Sequence, residues 1–398
     1  MLLDVLQIIS WLVVGVLIFL VAATVGFDFG VGILAKFVGK NDYEKRAIIN
    51  TVGPTWDGSQ VWFITAGGAI FAIWPQVYAT SFSGLYIAIL LVLWGLFLRP
   101  PAFEYRKKID NPTWKNFWDW MLLLGSVIPI VVMGVAVGNL YLGFPISYDD
   151  TSRLIYGTVT NGQYQSMWVT LIHLLTPFAL LFGIFALNMS LMHGSAYAKL
   201  RTDGVLRDRF RKITNVTATI YLVLFVVAAI WIALIPGYQY STGASCTYAS
   251  EALQHPFSAG VITNDHSWYY NFTQAKTIWM WFAPILAFVG ALLVIKFNNK
   301  DKDGLAFIAS MASLLGAVLT VGFALFPFIM VSNVGNFQYS LTVFNASSSQ
   351  TSLIGILCAA VIILPIIFSY TFFVYKKMWA NGRRVSAEEV KANSHELY

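Results

Sequence analysis

Thr55-Trp56-Asp57-Gly58-Ser59-Gln60-Val61-Trp62, continuing as Phe63-Ile64-Thr65-Ala66-Gly67-Gly68-Ala69, places a carboxylate, hydroxyls and an amide at the mouth of a long apolar run. An Asp at the centre of a membrane helix costs roughly 2.5–3.5 kcal/mol to insert. Such a group is kept where it pairs, meets water or moves charge. A second carboxylate, Asp28 in Gly26-Phe27-Asp28-Phe29-Gly30, lies in the preceding apolar run. The two together raise the question of what this chain does with protons or ions.

The 398 residues are 58% hydrophobic and only 11% charged, which excludes an ordinary soluble protein. The longest polar stretch, Gly237 to Lys276, is too short to form a domain of its own. Residues 1–398 therefore read as a single polytopic membrane domain. The net charge of +6 does not point to nucleic acid, because the basic residues cluster in short loops between apolar runs. Cys246 falls in the polar stretch and Cys358 in an apolar run, so they neither pair nor make a metal motif. Met1-Leu2-Leu3-Asp4 carries no positive charge and no Ala-x-Ala site follows, so the first run reads as a spanning helix and not a cleaved signal.

A bilayer core needs about 20 apolar residues per helix. That criterion predicts an all-α integral membrane fold with nine transmembrane helices. They lie near 6–36, 56–75, 79–98, 118–142, 164–193, 215–236, 276–296, 305–329 and 351–375. The first and fifth are long enough to demand tilt or an interruption, and Gly26, Gly30 and Gly32 mark the place in the first. Small residues there allow a neighbouring helix to approach closely. Five segments, Lys36 to Arg46, Arg99 to Lys115, Lys199 to Lys212, Lys296 to Lys302 and Lys376 to Lys391, hold 23 of the 25 basic residues; Arg153 and Lys276 are the others. With nine spans all five segments share one side. The positive-inside rule then puts the N-terminus in the periplasm and the C-terminus in the cytoplasm. Trp268-Tyr269-Tyr270 and Tyr238-Gln239-Tyr240 read as an aromatic belt, and the last residues, with Glu388, Glu389, Lys391 and Glu396, as a solvated tail.

Asp28 has two readings: a titratable carboxylate on an ion or proton route, or a packing group paired with a cation. Arg99 is the natural partner, since a guanidinium forks onto a carboxylate. Asp57 also has two. Following Pro54 and Thr55 it can start a helix. With Ser59, Gln60, Thr65 and water it can equally conduct protons inward, because burial raises an Asp toward working pH. Glu104 and Asp119 read as surface acids, either solvated or collecting protons. Of the five histidines, His173, His193, His255, His266 and His395, only His173 and His193 belong to a span. Their separation along one helix is about 30 Å, too far to share a metal. His173 alone reads as a satisfied polar group, and the methionines as core filler. No Walker or dinucleotide motif is present, and the Gly-rich run at Gly26 lies in the membrane.

A set of ordered pieces resembles subunit II of the cytochrome bd-type quinol oxidases. They are Gly26-Phe27-Asp28-Phe29-Gly30-Val31-Gly32, Trp56-Asp57-Gly58-Ser59-Gln60-Val61-Trp62 with Ile64-Thr65-Ala66-Gly67-Gly68-Ala69, Tyr78 to Gly84, Phe97-Leu98-Arg99-Pro100, Phe103-Glu104-Tyr105-Arg106, Gly138-Asn139-Leu140, Leu174-Leu175-Thr176-Pro177-Phe178, and Leu325-Phe326-Pro327-Phe328. The resemblance implies a heterodimer in a bacterial inner membrane whose haem-bearing subunit I holds two haems b and haem d. It implies that the complex couples quinol oxidation to oxygen reduction and builds membrane potential without pumping. The chain itself would ligate no haem and catalyse nothing alone. A structural quinone, lipid and small accessory membrane subunits are further candidate partners. Asp57 matches the family's acidic residue on the cytoplasmic proton route toward haem d, and Asp28 and Arg99 match its buried acidic and basic positions. Val25 departs from the pattern, which often has Asp there, and the loop around Cys246 is long. A stand-alone secondary transporter is the alternative, and the absence of a visible inverted repeat argues against it.

Overall fold

Leu2 to Val38 forms one unbroken helix, α1, of 37 residues. The computed structural model describes residues 2–148, 154–156, 159–160, 163–164, 167–241, 261–334, 339–378 and 384–392. Arg153, Cys246, His255, His395 and Glu396 lie outside them. Helix α2 (Asp42–Val52) follows, started by Asn41, whose side chain accepts from Glu44 N at 2.8 Å. Then come α3 (Trp56–Ile73), α4 (Pro75–Gly84), α5 (Tyr86–Tyr105) and α6 (Pro112–Leu142). Helix α7 (Met167–Leu174) precedes α8 (Pro177–Arg201), α9 (Gly204–Leu234), α10 (Phe282–Asn299), α11 (Asp303–Leu325), α12 (Gln350–Met378) and the short α13 (Ala387–Ala392).

Among the described residues, eight helices are long and apolar enough to cross a membrane, and a ninth crossing arises if the bent pair α3 and α4 is one span. The two differ in direction by 118°. The break follows from Trp74-Pro75: a residue before proline is driven out of the α region, and Trp74 sits at φ −128°, ψ 74°. The apolar run near 79–98 is therefore divided between α4 and α5. The long fifth run is interrupted too, at Leu175-Thr176. Thr176 caps α8, its hydroxyl accepting from Ala179 N at 3.2 Å, and Pro177 takes the first helical position. The first run, by contrast, carries its glycines without a break.

Those glycines serve packing. A Cβ on Gly194 of α8 would come within 2.7 Å of Gly30 Cα, so α1 and α8 meet backbone to backbone. Ser190 Oγ donates to Gly26 O at 2.5 Å across the same seam. In lipid, such close van der Waals contact replaces the hydrophobic drive. Helix α8 is the hub, packed on α1, α6, α9 and α11. His193 of α8 fastens two of these, α1 and α11: Nε2 donates to Ala23 O at 2.9 Å, Nδ1 bonds Ser310 Oγ at 2.7 Å, and the ring stacks on Phe307 at 4.8 Å. Helix α12 is the exception. It touches α1 and α3 and leaves most of its surface bare, including Val361, Ile366 and Phe372.

The basic segments meet at one end of the bundle through ion pairs. Lys45 and Arg106 both hold Asp119 at 2.7 Å, and Arg106 reaches Asp42 at 2.8 Å. Lys199, 1% exposed, holds Asp303 at 3.0 Å and Asp301 at 3.1 Å. The tail differs from its solvated expectation over 384–392. Val385 N donates to Arg201 O at 2.7 Å, Arg384 pairs with Asp303 at 3.2 Å, and Val390 of α13 is fully buried on α2. The opposite end carries short antiparallel hairpins: β1 (Ile146–Tyr148) with β2 (Leu154–Tyr156), β5 (Pro236–Ser241) with β6 (Val261–Ser267), and β7 (Phe328–Met330) with β8 (Leu341–Thr342). A two-residue pair, β3 (Val159–Thr160) and β4 (Gln163–Tyr164), lies between the first two. Trp268 is no exposed belt residue. It is 2% exposed and packs edge-on against Tyr141 at 5.3 Å, because the chain around β6 folds back onto the helix ends.

Candidate functional site

Asp28 and Arg99 are both fully buried, and the structure brings them together. Arg99 Nη2 donates to Asp28 Oδ2 at 2.5 Å. Arg99 Nη1 donates to Ser126 Oγ of α6 at 2.9 Å, and Ser126 passes its own hydrogen to Leu122 O at 2.8 Å. The guanidinium lies over the Phe29 ring at 4.0 Å and near Phe103 at 5.6 Å. Its stem passes Gly125, where a Cβ would come within 3.0 Å of Arg99 Cγ, so glycine makes the room. Arg99 stays on α5 although Pro100 and Pro101 remove the next two helical donors. The contact is single-pronged: Asp28 Oδ1 and Arg99 Nε are buried without a hydrogen-bond partner.

Asp57 lies in the first turn of α3, where the helix dipole favours its charge. Thr55 occupies the N-cap but makes no side-chain cap bond, and its hydroxyl turns back to Val52 O at 3.2 Å. Asp57 is exposed and has neither hydrogen bond nor ion pair among the described residues. Gln60, three residues on, shares its face. Gln60 Nε2 is buried without a partner. Thr65 lies about two turns further, roughly 80° around the helix, and donates to Val61 O at 2.9 Å. Ser59 departs from this line. It points about 200° away from Asp57, is 3% exposed, and its hydroxyl is buried without a hydrogen-bond partner among the described residues. The four residues of the sequence reading thus divide into an outer face, Asp57, Gln60 and Thr65, and an inner one, Ser59.

The surface acids also divide. Glu104 is exposed. Asp119 corrects the expectation: it is 4% exposed and locked between Arg106 and Lys45. Its burial follows from α2 folding across the ends of α5 and α6, which spacing along the chain does not announce. Outside the spans, burial would raise the Asp42 carboxyl, but Arg106 and then Lys115 outweigh it and hold it below its ordinary range. Val25 is 2% exposed among Phe29, Ile33, Leu123 and Ile130, an apolar setting that offers a carboxylate no partner. His193 does not fit as an axial haem ligand, since both ring nitrogens are engaged. His173 is exposed on α7. No group of three His, Cys, Asp or Glu able to hold a metal occurs among the described residues. Ser126 went unmarked in the sequence, because an isolated hydroxyl in an apolar run carries no periodic or motif signal.

A family model described as cytochrome bd terminal oxidase subunit II matches residues 6–378. The chain belongs to the cytochrome bd terminal oxidase subunit II family. It is 42% identical over 396 residues to cytochrome bd-I ubiquinol oxidase subunit 2 of Escherichia coli, covering 99% of each chain. It is 34% identical over 355 residues to cytochrome bd ubiquinol oxidase subunit 2 of Bacillus subtilis, covering 88% of this chain and 90% of that one. A solved bd oxidase structure from Geobacillus thermodenitrificans shares the fold at a TM-score of 0.67 and 12% identity, with 95% of this chain and 99% of that chain covered. This subunit II is therefore a multi-pass membrane protein and part of a terminal oxidase complex, and the stand-alone transporter reading is set aside.

Proposed function

We propose that this chain is the haem-free scaffold and proton-conducting subunit of a quinol oxidase, working beside a haem-bearing subunit I in a bacterial inner membrane. Family membership supports the partnership, and the relatives' names support ubiquinol as the reductant class. The two haems b and haem d belong to subunit I, where they supply quinol oxidation and oxygen reduction. This chain supplies helices, charge and a path for protons. The clustering of basic segments at one end supports a cytoplasmic C-terminus and a periplasmic N-terminus.

The observation that carries the route is Asp57. It sits at the basic end of a membrane helix, faces outward, and has no partner among the described residues. Gln60, one turn deeper, holds an amide nitrogen that is buried without a hydrogen-bond partner among the described residues. Polar groups on the lipid-facing side of a span are costly. Their cost is removed if subunit I and water cover this face, which lies beside the bare surface of α12. Asp57, Gln60 and Thr65 then form one side of a proton path shared between the subunits, with Ser59 on an inner branch. Protons drawn from the cytoplasm for oxygen reduction store about 2.3 kcal/mol per charge per 100 mV without pumping.

The test is Asp57→Asn in the assembled complex, with oxygen consumption measured at fixed quinol. Turnover per haem is expected to fall about tenfold, equivalent to about 1.4 kcal/mol on the barrier, while complex abundance holds. Unchanged turnover across pH would falsify the route.

A further inference from the structure

We propose that Lys36 and Asn116 form a binding site for an anionic phospholipid, at the basic end of the seam between α1 and α6. Lys36 lies in the last turn of α1 and is half-buried. Its Nζ donates to Asn116 Oδ1 of α6 at 3.0 Å and stands 4.1 Å over the Trp120 ring. Both partners are neutral. Lys45, Arg106, Lys115 and Lys199 at the same end each hold a carboxylate, whereas Lys36 has none within ion-pair distance among the described residues. An ammonium carries three hydrogens and a side-chain amide two. One ammonium hydrogen goes to Asn116, so two are left over. The Asn116 amide spends its oxygen on Lys36 and keeps both hydrogens free among the described residues. A lysine in a last helical turn suits the helix dipole wherever its head points. Lys36 is instead held in one place by a hydrogen bond and a ring, both from another helix.

The surface next to this ammonium has the order of a lipid. Asn116, Trp120 and Leu124 are four residues apart on α6, so they share one face, and all three are exposed. Along that face a polar amide is followed by an amphipathic indole and then an aliphatic chain, in steps of about 6 Å. The polar layer of a bilayer is roughly 5–8 Å deep on each side. A phosphate at Lys36 and Asn116 therefore sets its glycerol esters at Trp120, a residue type suited to that level. Its acyl chains then run along Leu124. Phe37 and Phe117, which follow Lys36 and Asn116 in the chain, are exposed as well and add apolar cover. Charge selects the lipid. A phosphodiester with no cation of its own neutralises Lys36, whereas a zwitterionic headgroup brings an ammonium that competes for the phosphate. The occupant is an anionic phospholipid of the phosphatidylglycerol type; free phosphate lacks the chains that cover Trp120 and Leu124.

The experiment is lipid binding to the assembled, delipidated oxidase, read by native mass spectrometry. The probes are phosphatidylglycerol, phosphatidylethanolamine and inorganic phosphate. Wild type is expected to hold phosphatidylglycerol in preference to phosphatidylethanolamine and not to release it to inorganic phosphate. Lys36→Met keeps the stem and removes the charge. It should weaken phosphatidylglycerol binding about fivefold, the equivalent of the ~1 kcal/mol that a lysine contributes at an anionic surface. Lys36→Arg should restore the binding. Lys108→Met, which removes an exposed lysine at the same end, should leave it unchanged. Undiminished binding in Lys36→Met would overturn the site, and so would an equal loss in Lys108→Met, which is the mark of general surface charge. Equal retention of the two lipids by wild type, or displacement by phosphate, would overturn the anionic phospholipid as occupant. If Lys36→Met lowers complex abundance, Asn116→Leu decides: weaker phosphatidylglycerol binding supports the site and a wild-type value overturns it.

Discussion

Two aspartates of this chain sit in neighbouring helices, α1 and α3, and the fold treats them oppositely. Asp28 is paired within the chain, one of its oxygens held by Arg99 in a fully buried contact shared by α1, α5 and α6. Asp57 is left open at the first turn of α3. The difference is one of neighbours, since both belong to apolar runs. Helix α1 lies inside the bundle, where an arginine can cross to it. Helix α3 lies on the flank next to α12, and among the described residues no basic side chain pairs with Asp57. A carboxylate paired in cis contributes to assembly of its own subunit. A carboxylate left open awaits a partner chain or water, and is free to exchange protons.

The largest effect that could break this comparison is Arg99→Gln. It strands a buried carboxylate, a change that costs about 3–5 kcal/mol. The expected outcome is a several-fold loss of complex in the membrane, read by haem content and immunoblot. Asp28→Asn together with Arg99→Gln should recover part of it, because no lone charge remains. Normal abundance of the single variant would show that the pair is not closed within the chain. Asp57→Asn, by contrast, is expected to spare abundance and lower turnover.

Acid sharpens the contrast at the basic end. Arg106 and Lys115 hold Asp42 below its unfolded value of 3.8 despite burial, so its contribution to stability is complete above that value. That contribution is lost as pH falls through the lower folded value. Thermal unfolding of the complex should therefore show an acid-side decline below about pH 4 that Asp42→Asn flattens. An identical decline in the variant would assign it to other carboxylates, of which Glu44, likewise held low by Arg209 against a smaller burial, is the first to examine. The smallest effect is expected from Thr65→Val. Among the described residues its hydroxyl bonds only Val61 O, so stability should stay within about 0.5 kcal/mol. Turnover should fall less than in Asp57→Asn. A larger fall would move the narrow point of the path from Asp57 to Thr65.

Much of this was legible from the chain itself. Apolar runs gave the helices, and the loop charges grouped five segments that the structure gathers at one end through Lys45–Asp119, Lys199–Asp303 and Arg384–Asp303. Gly30 announced the close approach of a helix, though not that Gly194 would be its partner. The proline punctuation at Trp74-Pro75 and Thr176-Pro177 was present but lay inside runs that hydropathy alone reads as continuous. The burial of Asp119 and the docking of Val390 on α2 were not legible, because they depend on which loops cross which helix ends.

The sequence by itself determined that this is a multi-span helical membrane chain, and its ordered pieces pointed to the oxidase family. Both are properties of local composition and spacing, and a helix in lipid needs only its own backbone to be satisfied. The tertiary structure alone decided which aspartate is paired and which is open. It turned Ser59 away from Asp57 into the buried interior, and it occupied both nitrogens of His193. Side-chain chemistry in a membrane is set by what stands opposite, and that is fixed only when helices far apart in sequence pack against one another.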